Sequence, residues 1–463
     1  MALPPLNVPL AWKGNDPLVA ALLDDLQANI LKGHGRNRSI NIFLQFNPNP
    51  AKAAAIKGAI HQLSGNLKTA KQHLIEAEEF KTTGVDGGVI RCFMLSFAGY
   101  QALGVPAKAP AGAAFHAGMK SRQALLNDTL ASTWDAHFQQ PVHALLLLAD
   151  DDKDRLEAER DSVVASLQAV GVTILGEEVG DQQRNGRGVG VEHFGYVDGR
   201  SQPLLLAEDV EREKLNNDGT SMWDPAFPAD QVLVANAGAV QGSFFVFRKL
   251  EQNVLGFKRK EEALADSLGL HGDARELAGA MMVGRFEDGT PVVLRNEAGI
   301  GGDVPNNFNY DDDKTAVKCP FHGHIRKTNP RGTGGFEAVA LERRHIMARR
   351  GVTYGERESG MCDRPEGGVG LLFASFQTSI ENQFEFTQST WANNPGFPSP
   401  GAAPAPGTDP VMGQVTTPAN TQQTPLHWGD PATAKQPQSF GGFVKLKGGE
   451  YFFAPVVSTL RTL

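Results

Sequence analysis

The chain has 463 residues, 41% hydrophobic and 21% charged, an ordinary globular composition with enough length for two or three cores. Its 44 Lys and Arg against 52 Asp and Glu give a formal net charge of −8, which excludes a basic nucleic-acid footprint or attraction to anionic membranes. No apolar run approaches the roughly 18–20 residues of a membrane span, and Cys92, Cys319 and Cys362 stand too far apart for a disulfide framework, a CxxC pair or a CxxCH haem attachment.

The first residues lack a basic cluster followed by an apolar core and lack a twin arginine, so the expected location is the cytoplasm. Residues 16–32 are predicted as an amphipathic helix, with Leu18, Leu22, Leu23, Leu26, Ile30 and Leu31 at helical spacing and Gly33-His34-Gly35 ending it. Residues 41–46 alternate like a strand, and two helices are predicted over 51–63 and 68–80. Apolar strands follow at 88–97 and 142–148, then a helix over 151–170 and an extended stretch over 173–179. This β-α-β…β-α-β order is the split, ferredoxin-like plan.

Residues 180–190, polar and rich in glycine, read as a linker between an N-terminal domain (1–185) and a C-terminal domain (190–463). A similar order returns beyond it: a strand at 242–250, helices over 252–268 and 273–283, a fully apolar strand at 370–376 and a helix over 378–391. The predicted class is therefore α+β, two ferredoxin-like domains, each an antiparallel sheet with helices packed on it. Residues 285–335 show few apolar runs, and residues 394–440, with ten prolines, are expected to form a long loop or wrapping segment.

Several residues could carry chemistry. His324 stands in a short segment in which Pro320 is expected at the first helical position and Asn329-Pro330 forces a stop, so it is either a metal ligand or a satisfied polar side chain. Zinc is set aside, because no HExxH or Cys/His spacing is present. Arg331 can clamp a carboxylate bidentately or lie on the surface. Asp198 either closes a turn through Asp-Gly or acts as an acid–base group, the latter favoured by Arg200, Ser201 and Gln202 beside it. Arg349 and Arg350 either end a basic helix before Gly351 or aim an arginine at the pocket that holds Asp198. Leu371 and Phe373, two apart on an apolar strand, face one side of a sheet as core or as a dry pocket wall.

These segments together resemble the dye-decolorising peroxidases. Gly195-Tyr196-Val197-Asp198-Gly199 is similar to the GxxDG motif that supplies the family's distal aspartate. Residues 318–331, ending His324-Ile325-Arg326-Lys327-Thr328-Asn329-Pro330-Arg331, resemble a segment like CPxxAHIRKTNPR, which supplies the proximal histidine. His322 stands nearby, but His324 occupies the motif position before Ile-Arg. Residues 346–355 resemble ILRRGIPYG, with one extra residue and Thr353 for proline; counting back from Gly351 favours Arg349 over Arg350 as the distal arginine. Residues 370–373 look like the distal strand, residues 407–414 like GxDPIIGQ, and residues 26–33 like LQGNILKG. The matches run in the family's order from about residue 24 to 414.

The resemblance implies a haem peroxidase with one non-covalent haem b per chain, held mainly by the C-terminal domain. It implies His324 as iron ligand, Asp409 as acceptor for the imidazole's other nitrogen, Arg331 at a propionate, Asp198 and Arg349 on the distal side, and Leu371 and Phe373 lining the peroxide pocket. The implied partners are hydrogen peroxide and an organic reductant such as a dye or phenol, with no nucleic acid and no membrane, and a homo-oligomer is compatible with the chain. Reductants too bulky for the pocket would deliver electrons through Trp391, Tyr354 or Tyr310, unless these simply pack the core. The rival reading is a haem-handling protein, a carrier or iron-releasing enzyme, which needs a ligand but no acid–base pair.

Overall fold

The fold is taken from a computed structural model, which describes residues 3–47, 49–216, 219–236, 238–299, 301–399, 404–414 and 421–463. Four strands form the N-terminal half of the sheet: β1 (Arg38–Phe46), β2 (Ile90–Leu95), β3 (Ala144–Asp150) and β4 (Val172–Asp181). Their spatial order is β4-β1-β3-β2, all antiparallel, with the helices Pro50–Ser64, Ala70–Thr83 and Lys153–Ala169 in the connections. That is the ferredoxin-like arrangement. Local chemistry sets the helix ends: Thr69 and Gln72 form a reciprocal capping box, and Gly84 closes the same helix at φ 71°.

The C-terminal half adds β5 (Val234–Asn236), β6 (Ala239–Gln252), β7 (Ala348–Arg349), β8 (Val352–Tyr354) and β9 (Gly370–Gln377). A two-stranded ribbon, β10 (Gln422–Pro425) with β11 (Lys435–Gln438), lies within the proline-rich stretch, and β12 (Val444–Pro455) follows. The ten-stranded sheet runs β4-β1-β3-β2-β12-β6-β9-β7, with β5 on β6 and β8 on β9. Phe453 of β12 pairs with Leu95 of β2 and so joins the halves. At the far ends β8 meets β4: the Thr353 hydroxyl donates to the Asp181 carbonyl and accepts from the Gln183 N–H at 2.8 Å. Phe43, Phe93, Phe138, Phe244, Phe245, Phe247, Phe452 and Phe453 are buried in the core that spans both halves.

The α+β class and the antiparallel sheets hold as expected; several elements differ. The first helix covers only Pro17–Asp25, because Gln27 is drawn into the sheet, its amide donating to Phe93 and Pro455 carbonyls. Pro320 does not begin a helix; residues 320–323 turn and the helix is His324–Thr328. The expected helix over 378–391 is a widened one, Ile380–Glu385 and Thr387–Ala392. β12 escaped the sequence pattern because a bulge at Gly448, φ 146°, interrupts its alternation, and a Cβ there would strike the Phe138 ring. Of the proline-rich stretch, residues 400–403 and 415–420 lie outside the described residues. Among the described residues no helix is long and apolar enough to cross a membrane.

Candidate active site

Strand β9 places one wall. Its alternation turns Leu371 and Phe373 into a cavity while Leu372 and Ala374 pack into the core. Gly370 must be glycine, because a Cβ would collide with the Leu250 carbonyl across the β6–β9 pair. The same cavity is bordered by Val197, Asp198, Arg248, Arg285, His324, Arg331, Arg349 and Phe384. The widened helix lends Phe384, Thr387 and Gln388 to its lining.

His324 enters from the first turn of the short helix His324–Thr328. Its Nδ1 and Asp409 Oδ2 are 2.8 Å apart, while Asp409 is fully buried and its Oδ1 accepts from Val411 and Met412 N–H at 2.8 and 3.0 Å. Burial alone would lower the imidazole, but Asp409 raises it above its ordinary value; Arg349 opposes and Asp198 assists. Burial likewise works against the Asp409 charge, yet His324 and the two N–H donors bring it below the usual carboxylate range. With Nδ1 committed, Nε2 is the ring nitrogen left for the cavity. His322 is fully buried, does not line the cavity, and is driven down to about 3 by burial.

The segment ahead of His324 is braced by a buried hub. Arg326 lies over the Tyr310 and Phe321 rings at 4.4 and 4.6 Å and pairs with Asp313 at 2.9 Å, both side chains wholly buried. Asp313 also accepts from the N–H groups of Val317, Lys318 and Cys319.

Asp198 follows a tight turn between Gly195, φ 102°, and Gly199, φ 81°. Its N–H donates to the Gly190 carbonyl at 3.2 Å. Arg349, on β7, is tied to the residues just after Asp198: its N–H donates to Gln202 Oε1 and its Nη2 to the Arg200 carbonyl, each at 3.0 Å. Arg350 turns away, its Nε and Nη2 donating to the carbonyls of Asn29 and Ile30. Of the two arginines only Arg349 borders the cavity.

Arg331 lies 3.8 Å over the Phe308 ring and 4.7 Å over Trp223, donating to the Asn306 and Phe308 carbonyls, to Asn306 Oδ1 and to Ser201 Oγ. Arg285 approaches the same Ser201 at 3.4 Å. Burial lowers these two guanidinium groups to about 9 and about 10. Two buried cations at one cavity edge are suited to an anionic group.

The family model for the dye-decolorising peroxidase (DyP) dimeric alpha+beta barrel domain matches residues 25–179. The chain is 47% identical to the multifunctional dye peroxidase DyP2 of an Amycolatopsis strain over 99% of both sequences, and 31% identical to a dye-decolorizing peroxidase of Exidia glandulosa over 94% of this chain and 86% of that one. It belongs to the dye-decolorising peroxidase family. Solved structures agree: Amycolatopsis DyP2 superposes with a TM-score of 0.93, covering 99% of this chain and 100% of that one. A DyP-type peroxidase from Anabaena superposes with a TM-score of 0.91 at 41% identity, covering 99% and 98%. The chain is thus an enzyme, an oxidoreductase of the peroxidase class.

In this peroxidase six of the seven site residues expected from sequence border one cavity, and the seventh, Asp409, lies directly behind His324. Arg248, Arg285, Phe384 and Glu192 were not foreseen, since each sits in a segment whose pattern spoke only of strands, helices or loops. Ser201 and Gln202 did carry a signal, the crowding of polar residues after Asp198. Trp391, Tyr354 and Tyr310 are all buried, at 1%, 7% and 0% exposure.

Proposed function

We propose that the cavity holds a haem and that the enzyme uses hydrogen peroxide to oxidise dyes, phenols or similar organic reductants. The residues fit such a group: an imidazole with one nitrogen fixed by a buried carboxylate, an apolar wall, and buried arginines at one edge. His324 would ligate the iron, Arg331 would meet a propionate, and Asp409 would hold the imidazole's other N–H, giving the ligand anionic character. When bound, the haem supplies an iron that accepts peroxide oxygen and later takes electrons from the reductant. No CxxCH is present, so the group would be held without covalent bonds.

The protein's own contribution is proton movement. Peroxide must lose a proton from the oxygen that binds and gain one on the oxygen that leaves. Asp198, as carboxylate, takes the first proton and returns it to the departing oxygen. Arg349, fixed by Gln202 and Arg200, stabilises the charge that develops as the O–O bond parts. Leu371 and Phe373 exclude water, which strengthens both effects.

One observation carries this reading: Asp198, Arg349 and an Asp409-braced His324, drawn from segments far apart in sequence, converge on a single cavity. The test pairs two variants. Asp198→Asn is expected to slow reaction with peroxide by about 10²–10⁴-fold while keeping the Soret band, whereas His324→Ala is expected to lose that band. Wild-type peroxide kinetics in the first variant, or an intact Soret band in the second, would reassign the role concerned.

A further inference from the structure

Glu192 opens the turn that ends at Asp198, and it lines the same cavity. Both oxygens of its carboxylate are engaged from within that turn: Oε2 accepts the Phe194 N–H at 2.8 Å and Oε1 the Tyr196 N–H at 3.0 Å. Oε2 also accepts the side-chain amide of Gln252. The Glu192 N–H donates to the Tyr196 carbonyl at 3.0 Å, and Val191 pairs with Val197, so residues 190–198 close on themselves around this one side chain. Gln252 ends β6, where its N–H donates to the Val369 carbonyl at 2.8 Å and its backbone pairs with Val444 of β12. A single carboxylate thus links the turn to the rigid end of the central sheet.

We propose that Glu192 is the positioning residue for Asp198. Asp198 has two anchors of its own, the 3.2 Å bond from its N–H to the Gly190 carbonyl and the 2.6 Å bond its Oδ1 accepts from the Gly199 N–H; both partners belong to the same turn, so its place at the cavity follows from where residues 194 and 196 are held. A carboxylate suits this task because it accepts on both oxygens. The isosteric amide accepts on one only and in either orientation turns its N–H₂ toward a backbone N–H, that of Phe194 or of Tyr196, replacing an attraction with a repulsion. With both oxygens engaged, Glu192 acts through the turn and not on peroxide itself. The inference rests on the acid–base role proposed for Asp198.

The experiment compares haem-loaded wild type, Glu192→Gln, Asp198→Asn and the double variant by amide hydrogen exchange over residues 190–199 and by stopped-flow reaction with peroxide. Glu192→Gln is expected to speed exchange at Phe194 and Tyr196 about tenfold or more. It should also lower the peroxide rate constant about 10–100-fold, as for a misplaced catalytic group, with the Soret band and the KM for a soluble phenol unchanged. The double variant should be no slower than Asp198→Asn. Gln252→Ala, which removes one of the three donors, should move exchange and peroxide rate in the same direction by less, and serves if Glu192→Gln does not fold. Phe194 also stacks on Phe257 with ring centroids 3.9 Å apart; wild-type exchange in either single Glu192 or Gln252 variant would show that this stack and the Val191–Val197 pairing hold the turn, and would overturn the proposal. Fully multiplicative loss in the double variant would overturn it too, since Glu192 would then act independently of Asp198. Should Asp198→Asn itself retain the wild-type peroxide rate, the acid–base reading fails, and with it the catalytic part of this proposal; faster exchange in Glu192→Gln would then leave Glu192 as an anchor of the turn alone.

Discussion

Replacing Asp313 by alanine should release the segment that delivers His324. In the wild type, Asp313 and Arg326 are both 0% exposed and joined at 2.9 Å. The carboxylate also accepts three backbone N–H groups, at 2.9, 3.0 and 2.9 Å. Removing one partner of a buried pair costs about 3–5 kcal/mol, because the remaining charge is stranded away from water. Arg326 would keep only carbonyl acceptors, those of Cys319 and Asp313 itself. The reverse deletion, Arg326→Met, leaves Asp313 its three N–H donors and fills the slot between Tyr310 and Phe321, so it should cost about 1–2 kcal/mol. At about 1.4 kcal/mol per power of ten, amide exchange across residues 313–328 should accelerate by roughly two to four powers of ten in Asp313→Ala and by about one in Arg326→Met. Exchange in Asp313→Ala within tenfold of wild type, or an equal loss in Arg326→Met, would refute the idea that the carboxylate is the hub.

Asp409→Asn should raise the ferric/ferrous potential of the loaded enzyme, read by spectroelectrochemistry, because the imidazole loses its anionic partner; an unchanged potential would remove Asp409 from the proximal side. In the haem-free protein, where His324 carries no iron, the same pair stabilises the fold most while both members are charged: that contribution is lost as pH rises through the elevated His324 value and as pH falls through the depressed Asp409 value. The Tm gap between wild type and Asp409→Asn should therefore be widest between those two values. Burial, opposed by the N–H donors, lifts Glu192 to about 7, so the carboxylate that accepts on both oxygens is the form present above that value; since the folded value lies above the unfolded one, the fold loses stability as pH rises from about 4.5 through about 7. Glu192→Gln should flatten that part of the Tm–pH curve, and an unaltered slope would count against a titrating Glu192. Gly370→Ala should cost about 2 kcal/mol or more in chemical denaturation, since a Cβ would displace the Leu250 carbonyl and open the β6–β9 pair; a wild-type midpoint would show that the strands slide apart without penalty.

Much of the fold was legible because burial imposes a period. The runs at 142–148 and 370–376 are apolar on both faces, and they became β3 and β9 within one to two residues. The chain from Gln27 to Lys32 misled for the same reason: its Leu and Ile spacing suits a helix, yet Asn29 at φ 69° and the bonds of Gln27 to β2 and β12 show a segment shaped by its neighbours. β12 was hidden by Gly448 and Gly449, where the pattern breaks although the strand continues.

The sequence by itself determined which residues could do chemistry. An aspartate between glycines, a histidine before Ile-Arg and a paired arginine before glycine carry their meaning in local order, since turn, helix stop and donor geometry depend on near neighbours. Tertiary structure decided how those groups meet. It turned Arg349 toward the cavity and Arg350 toward the Asn29 and Ile30 carbonyls, separated His324 from His322 by giving only the former a buried carboxylate and a place on the cavity, and bound Glu192 to Gln252 across sixty positions. Those choices depend on which carbonyls, rings and carboxylates the sheet brings within hydrogen-bond reach, and distance in space is what a linear order of residues does not hold.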